Sequence, residues 1–170
     1  MLIKLIDAKK DLSIQVHPSD TYALAHEGQY GKTEMWIVLD AAPGAGLYYG
    51  FEREISREEF ARRVEDGTLE EVLHRVAVKA GDVLFIEAGT LHVIGAGLVI
   101  AEIQQNSNVT YRVYDYGRLG PDGQPRQLHV EKALCVANRG PAVQRDFGAH
   151  LGSCPYFTVD GHTGSFAGRC

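Results

Sequence analysis

Gln15 and His17 stand two positions apart in Ile14-Gln15-Val16-His17, a stretch that alternates apolar and polar residues. In a strand that spacing turns both side chains to one face and sends Ile14 and Val16 to the other. An amide and an imidazole side by side on a barrel-lining face can grip a metal ion. Two further segments offer groups of the same kind. Gly31-Lys32-Thr33-Glu34-Met35-Trp36 sets an ammonium and a carboxylate at the mouth of an apolar run. Gly81 to His92 reads as a turn, a strand, a Gly-containing turn and then a histidine among Leu91, Val93 and Ile94. A single histidine in such surroundings is more often a hydrogen-bonded core residue, but here His17 and Glu34 are candidate partners. Imidazole nitrogen and carboxylate oxygen are donors for divalent metal ions, and affinity alone does not select among such ions. His26 and His74 lie in charge-rich segments and are expected in solvent.

The elements that would position these groups are mostly strands. Leu2 to Ile6, Ile14 to His17, Met35 to Leu39, Val76 to Val78, Val83 to Ile86, Leu98 to Ile103 and Thr110 to Tyr114 carry strand patterns. Pro43-Gly44, Lys79 to Asp82, Ala88 to Thr90 and Pro121 to Gly123 separate them as turns. Helices are signed by two capping boxes. Ser56-Arg57-Glu58-Glu59 opens one that carries Phe60 and Val64 and stops at Gly67, and Thr68-Leu69-Glu70-Glu71 opens a second that carries Leu69, Val72, Leu73 and Val76. A short helix is expected after Pro18-Ser19-Asp20 and another over Val130 to Ala137. Many short strands with a few inserted helices make the chain mostly β, a sandwich or small barrel with a helical insertion near residues 56–76. Leu2 to Ile6 begins abruptly as a strand, and Pro155 to Asp160 begins another that leads only into Gly-rich residues. A fragment of a longer protein is therefore expected.

Composition limits what such a chain can do. It has 170 residues, 45% hydrophobic and 23% charged, and Lys+Arg 17 against Asp+Glu 22 gives a net charge of −5. These are the proportions of an ordinary globular protein and not of a disordered one. An acidic chain without a basic stripe is a poor partner for nucleic acid. No apolar run approaches the ~20 residues of a membrane-spanning helix, and the N-terminus reads as a strand and not as a signal peptide. The three cysteines, Cys135, Cys154 and Cys170, are odd in number and never form a Cys-x-x-Cys pair. Free thiols in a reducing, cytoplasmic setting are expected, with neither a disulfide framework nor a thiolate metal site.

The pattern from Gly81 to His92 resembles the second motif of the cupin family, matching at Gly81, Gly89 and His92, with Glu87 where that motif usually has proline. In the first motif, Gln15 replaces one histidine, His17 is the other, and Glu34 follows after a helical insertion. Those departures are similar to one branch. Gln15 to Pro18, Gly31 to Trp36, Gly89 to Gly95 and Gln104 to Asp115 together resemble type I mannose-6-phosphate isomerases of the short bacterial form. The resemblance spans roughly residues 2 to 140 and the strand at Tyr156-Phe157, and four ordered motifs make it specific.

The resemblance implies a cupin-like jelly roll in which residues 1–140 form the metal-binding domain. Residues 141–170 would be a linker and the start of a second cupin-like half. It implies one zinc ion per chain held by His17, Glu34 and His92, with Gln15 as a further ligand or close neighbour. It also implies an active-site role for Arg112, and for Lys32 against a sugar oxygen or the phosphate. The implied reaction interconverts mannose 6-phosphate and fructose 6-phosphate by moving a proton between C1 and C2 through a cis-enediol. Negative charge developing on O1 and O2 needs electrophilic stabilisation, which a metal ion and a permanently charged guanidinium can supply. No residue is singled out as the general base, and no Gly-rich phosphate cradle is present. A non-catalytic cupin that binds metal and sugar is the alternative. An iron oxygenase is disfavoured because Gln15 stands where its His-x-His pair would begin. The substrate partner would be a small phosphosugar, and the oligomeric state is not legible.

Overall fold

The computed structural model describes residues 1–162, so Cys170 and the rest of 163–170 lie outside the described residues. Two antiparallel sheets face one another. The first has the order β1-β8-β3-β6, built from Leu2–Ala8, Leu98–Gln104, Glu34–Ala41 and Val83–Ile86. The second runs β5-β4-β7-β2-β9, from Leu73–Ala77, Gly46–Phe51, His92–Ile94, Ile14–Val16 and Tyr111–Tyr114. This is the mostly-β, cupin-like sandwich that the strand pattern and the family motifs imply.

Side-chain alternation sorts the residues into three apolar layers. Ile14, Val16, Leu91, Val93, Tyr111 and Val113 point outward from the second sheet and pack under the helices, against Phe60, Leu69 and Leu134. Trp36, Val38, Leu47, Ile86, Ile94, Leu98 and Ile100 fill the space between the sheets. Met35, Phe85 and Ile103 face outward from the first sheet and are covered by Phe157. That phenylalanine sits on β11 (Phe157–Val159), which pairs with β10 (Gly152–Cys154) as a hairpin.

Helix α1 (Asp20–Glu27) begins where the Ser19 hydroxyl accepts the Tyr22 N–H and ends at left-handed Gly28. Helix α2 (Arg57–Glu65) is capped by Ser56, whose side chain accepts from the Glu59 N–H as a capping box requires. Helix α3 spans Val130–Val136.

One expectation is corrected, and one strand is added. The helix expected to run from Thr68 to Val76 is a single 3-10 turn, Leu69–Val72, and Thr68 makes no side-chain cap. Residues Leu73–Ala77 are instead an edge strand, with Leu47 opposite Val76 and Gly46 opposite Ala77. Pairing with β4 satisfies their backbone and outweighs a weak local helix signal. Strand β4 itself carries no strand pattern, because Gly46 and Gly50 interrupt it. Gly50 has φ +69°, and a Cβ there would meet Ala142 Cβ at 2.7 Å. It sits where the register shifts between Tyr48 and Phe51, so the glycine marks a bulge.

Candidate metal centre

The space between the sheets is apolar at one end and polar at the other. β2 sends Gln15 into the polar end, since its neighbours Ile14 and Val16 belong to the helix-covered layer. Just beyond the strand, His17 is 1% exposed. β3 contributes Glu34, opposite Gln104 on β8 and Ile86 on β6. The approach to Glu34 is tight: a Cβ at Gly31 would lie 2.4 Å from the Pro18 carbonyl oxygen, and the Gly31 N–H donates to Asp20 Oδ1 at 2.8 Å. Only glycine lets this segment cross there and deliver Lys32 and Glu34 to the chamber. β7 begins with His92, which pairs with Gln15 on β2 and with Tyr49 on β4.

His17, Glu34 and His92 converge, each offering one ligand atom, and those atoms lie within 4.8 Å of one another. His17 Nε2 is 3.5 Å from Glu34 Oε2, and His92 Nε2 is 3.4 Å from Glu34 Oε1. Both imidazoles are aimed by their other nitrogen: His17 Nδ1 meets the Val109 carbonyl at 3.0 Å and His92 Nδ1 the Thr90 carbonyl at 2.8 Å. A carbonyl can only accept, so Nδ1 carries the proton and each Nε2 presents a lone pair inward, as a metal ligand must. Gln15 Nε2 lies 3.3 Å from His92 Nε2. A half-turn of the amide would bring its oxygen to the same place.

Glu34 is 0% exposed, and neither of its carboxylate oxygens receives a directed hydrogen bond. Lys32 Nζ is 2.6 Å from Oε2, an ion pair of off-line geometry, and 3.2 Å from His17 Nε2. A buried carboxylate with unfilled lone pairs, facing two nitrogen lone pairs, is a donor set for a divalent cation. The three residues fit a metal.

Residues not singled out from the sequence complete the chamber. Glu102 on β8 is 3% exposed; Lys4 Nζ on β1 lies 2.9 Å from Glu102 Oε1, and Lys32 Nζ lies 3.6 Å from the same oxygen. Lys4 also donates to Gln104 Oε1 at 2.5 Å. The available signal is strand parity: Lys4 shares a face with Ile6 and Ala8, and Glu102 with Leu98 and Ile100, all of which point inward.

Arg112 stands one strand beyond the cluster, opposite Gln15 in the β2–β9 register. Its Nη1 donates to the Gln127 carbonyl at 3.0 Å, while its Nε is buried with no acceptor among the described residues. Nearby, Asp115 is gripped by Arg126 through two nitrogens and by Arg118 Nη2 at 2.7 Å. Burial alone would raise the Asp115 pKa, but these two guanidiniums hold it below the ordinary value. Glu87, at the cupin proline position, pairs with Arg145 Nε at 2.5 Å. His26 and His74 are exposed.

Burial pushes the His17 pKa well below 6.5, with the Lys32 charge adding to the effect. Burial also lowers that of His92, against the opposing pull of Glu34. Both stay neutral in the folded chain after the unfolded chain has begun to protonate them. The unfolded state then binds more protons, so stability is full above pH 6.5 and falls as pH drops from there toward the folded values. Urea unfolding of metal-free protein between pH 8 and pH 5 should show this, and His17→Gln should flatten the slope. An unchanged slope in that variant would show that His17 is protonated in the fold.

No protein-family model matches the chain. Curated relatives do. Mannose-6-phosphate isomerase of Streptococcus mutans is 44% identical over 168 residues, which cover 94% of this chain and 53% of that protein. Mannose-6-phosphate isomerase ManA of Bacillus subtilis is 41% identical over 170 residues, covering 94% of this chain and 54% of that one. The crystal structure of the mannose 6-phosphate isomerase from Bacillus subtilis superposes with a TM-score of 0.84 at 38% identity, over 92% of this chain and 53% of that one. The chain spans about half the length of the relatives it matches. Over that half, the chain is similar in sequence and in fold to mannose-6-phosphate isomerases.

Proposed function

We propose that this chain carries the metal-binding half of an aldose–ketose isomerase acting on mannose 6-phosphate and fructose 6-phosphate. Zinc is the ion, one per chain, held by His17, Glu34 and His92 with Gln15 alongside. The observation that carries the reading is the buried Glu34 carboxylate with no directed donor, faced by two imidazole nitrogens whose orientation is fixed from behind. Residues 1–140 are the metal-binding unit and 141–170 lead into a second half, as the greater length of the relatives supports. Free Cys135 and Cys154 fit a cytoplasmic setting.

The charges favour an anionic sugar. Lys4 and Lys32 balance Glu34 and Glu102, so a divalent ion leaves the chamber net positive, and Arg112 adds to that. When bound, the zinc ion supplies electrophilic stabilisation of oxygen charge without proton transfer. In the reaction the C2 proton of the open-chain aldose leaves to a base and a proton is returned to C1, while O2 loses a proton and O1 gains one. Glu102 is the carboxylate outside the ligand set that could hold such a proton, and Lys32, between Glu34 and Glu102, holds one on Nζ. Arg112 approaches the developing oxyanion from the Gln15 side with a charge that does not titrate. No helix among the described residues is long and apolar enough to cross a membrane.

The test is conversion of mannose 6-phosphate by zinc-loaded protein in deuterium oxide, followed by NMR. Formation of fructose 6-phosphate, with solvent deuterium entering at the transferred position, is expected. Sugar-phosphate binding without conversion would instead favour a metal- and sugar-binding module.

A further inference from the structure

Trp36 is the chain's single tryptophan and is 0% exposed. Its indole Nε1 is buried and has no acceptor among the described residues. It stands two positions beyond Glu34 on β3, so both side chains point between the sheets. Across the first sheet it faces Glu102 on one side and Leu84 on the other. Its ring meets that of His92 edge-on, with centroids 5.3 Å apart and planes at 80°. Trp36 therefore lies on the boundary where the apolar floor gives way to the polar chamber.

An indole N–H can only donate, and leaving it unmet in an apolar interior is unfavourable. Phenylalanine would fill the same boundary without that penalty. The floor offers no substitute acceptor: Leu47, Ile86, Ile94, Leu98 and Ile100 are aliphatic. Tyr49, the one polar side chain there, has its hydroxyl committed to the Phe85 carbonyl at 2.9 Å. The ring stands beside His92 and opposite Glu102, at the polar end of the interior, and what binds there under the proposed function is a polyhydroxylated sugar phosphate.

We propose that the Trp36 indole N–H is a specificity donor, met by a hydroxyl oxygen of the sugar when the ligand occupies the chamber. The inference rests on the isomerase reading and deepens it. It assigns to the floor of the site the recognition of a sugar hydroxyl, a task separate from holding the metal and from carrying charge.

Because there is one tryptophan, biosynthetic replacement by β-(3-benzothienyl)alanine changes this residue alone, keeping the bicyclic shape and exchanging N–H for sulfur. In zinc-loaded protein the isostere should retain stoichiometric metal and the affinity for inorganic phosphate. It should bind mannose 6-phosphate about three- to tenfold more weakly, the effect of losing one neutral hydrogen bond. In unsubstituted protein labelled with 15N, the single indole proton should move downfield and exchange more slowly with mannose 6-phosphate, but not with inorganic phosphate. Binding of the sugar phosphate with equal affinity to the isostere, or without moving the indole resonance, overturns the assignment and leaves the isomerase reading intact. Failure of the zinc-loaded protein to bind mannose 6-phosphate overturns both.

Discussion

Alanine at both His17 and His92 should reduce zinc from one ion per chain to background in protein purified without chelator. His92 opens β7 and His17 lies just past the end of β2, and their Nε2 atoms lie 3.4 and 3.5 Å from opposite oxygens of Glu34. Removing them leaves one carboxylate, already paired with Lys32, and the Gln15 amide as the protein's contribution, too little to hold zinc. Elemental analysis reads the outcome directly, with circular dichroism checking that the fold persists. Glu34→Gln supplies an independent arm. It keeps the shape but withdraws the counter-charge from Lys32, which is 4% exposed. Breaking a buried pair from one side typically costs about 3–5 kcal/mol, so this variant should lose zinc and also unfold at lower urea. Stoichiometric zinc in the double-alanine protein would overturn the ligand assignment. Zinc lost after exposure to acid would not, because protonated imidazoles release metal.

Gln15 and His17 were legible because their strand has one apolar face. Ile14 and Val16 point under the helices, so the alternation in Ile14-Gln15-Val16-His17 survives in the sequence and assigns Gln15 and His17 to the opposite side. The first sheet offers no such contrast. Both of its faces are covered, by the interior layer on one side and in part by the Phe157 hairpin on the other. Leu98-Val99-Ile100-Ala101-Glu102-Ile103 therefore reads as a continuous apolar run, and whether Glu102 faces inward depends on register with β1 and β3. That register is a tertiary fact. Trp36 was hidden for the same reason, and Lys4 because apolar Ile3 and Leu5 occupy even the solvent-facing side of β1. β4 was obscured by Gly50, whose positive φ serves the bulge against Ala142 and weakens every local strand signal. The second capping box misled because Thr68 makes no side-chain cap and the chain turns only once, over Leu69–Val72, before it pairs with β4. The partner strand decides how far the turn runs.

Arg112→Ala should lower turnover by about 10²–10³, the usual cost of removing one group that stabilises developing charge, with a much smaller change in the Michaelis constant. The expectation rests on position and on an unfilled donor. Arg112 is the cross-strand neighbour of Gln15, which is itself the neighbour of His92. One guanidinium nitrogen is tied to the Gln127 carbonyl, and Nε is buried without an acceptor. A side chain anchored at one nitrogen with donors to spare is arranged to meet an oxyanion with little rearrangement, and such a contact counts in the transition state more than in the ground state. Arg112→Lys should not restore turnover, since a compact ammonium on a flexible stem lacks both the planar fork and the anchor to Gln127. Steady-state isomerisation of mannose 6-phosphate, with zinc content measured in the same samples, separates the outcomes. Near-normal turnover in Arg112→Ala with zinc in place would make the residue structural, a partner of the Asp115, Arg118 and Arg126 cluster. Normal turnover with a steeply raised Michaelis constant would place the guanidinium on the phosphate. Charge at the reacting oxygens would then fall to Lys32, whose ammonium already lies between Glu34 and Glu102.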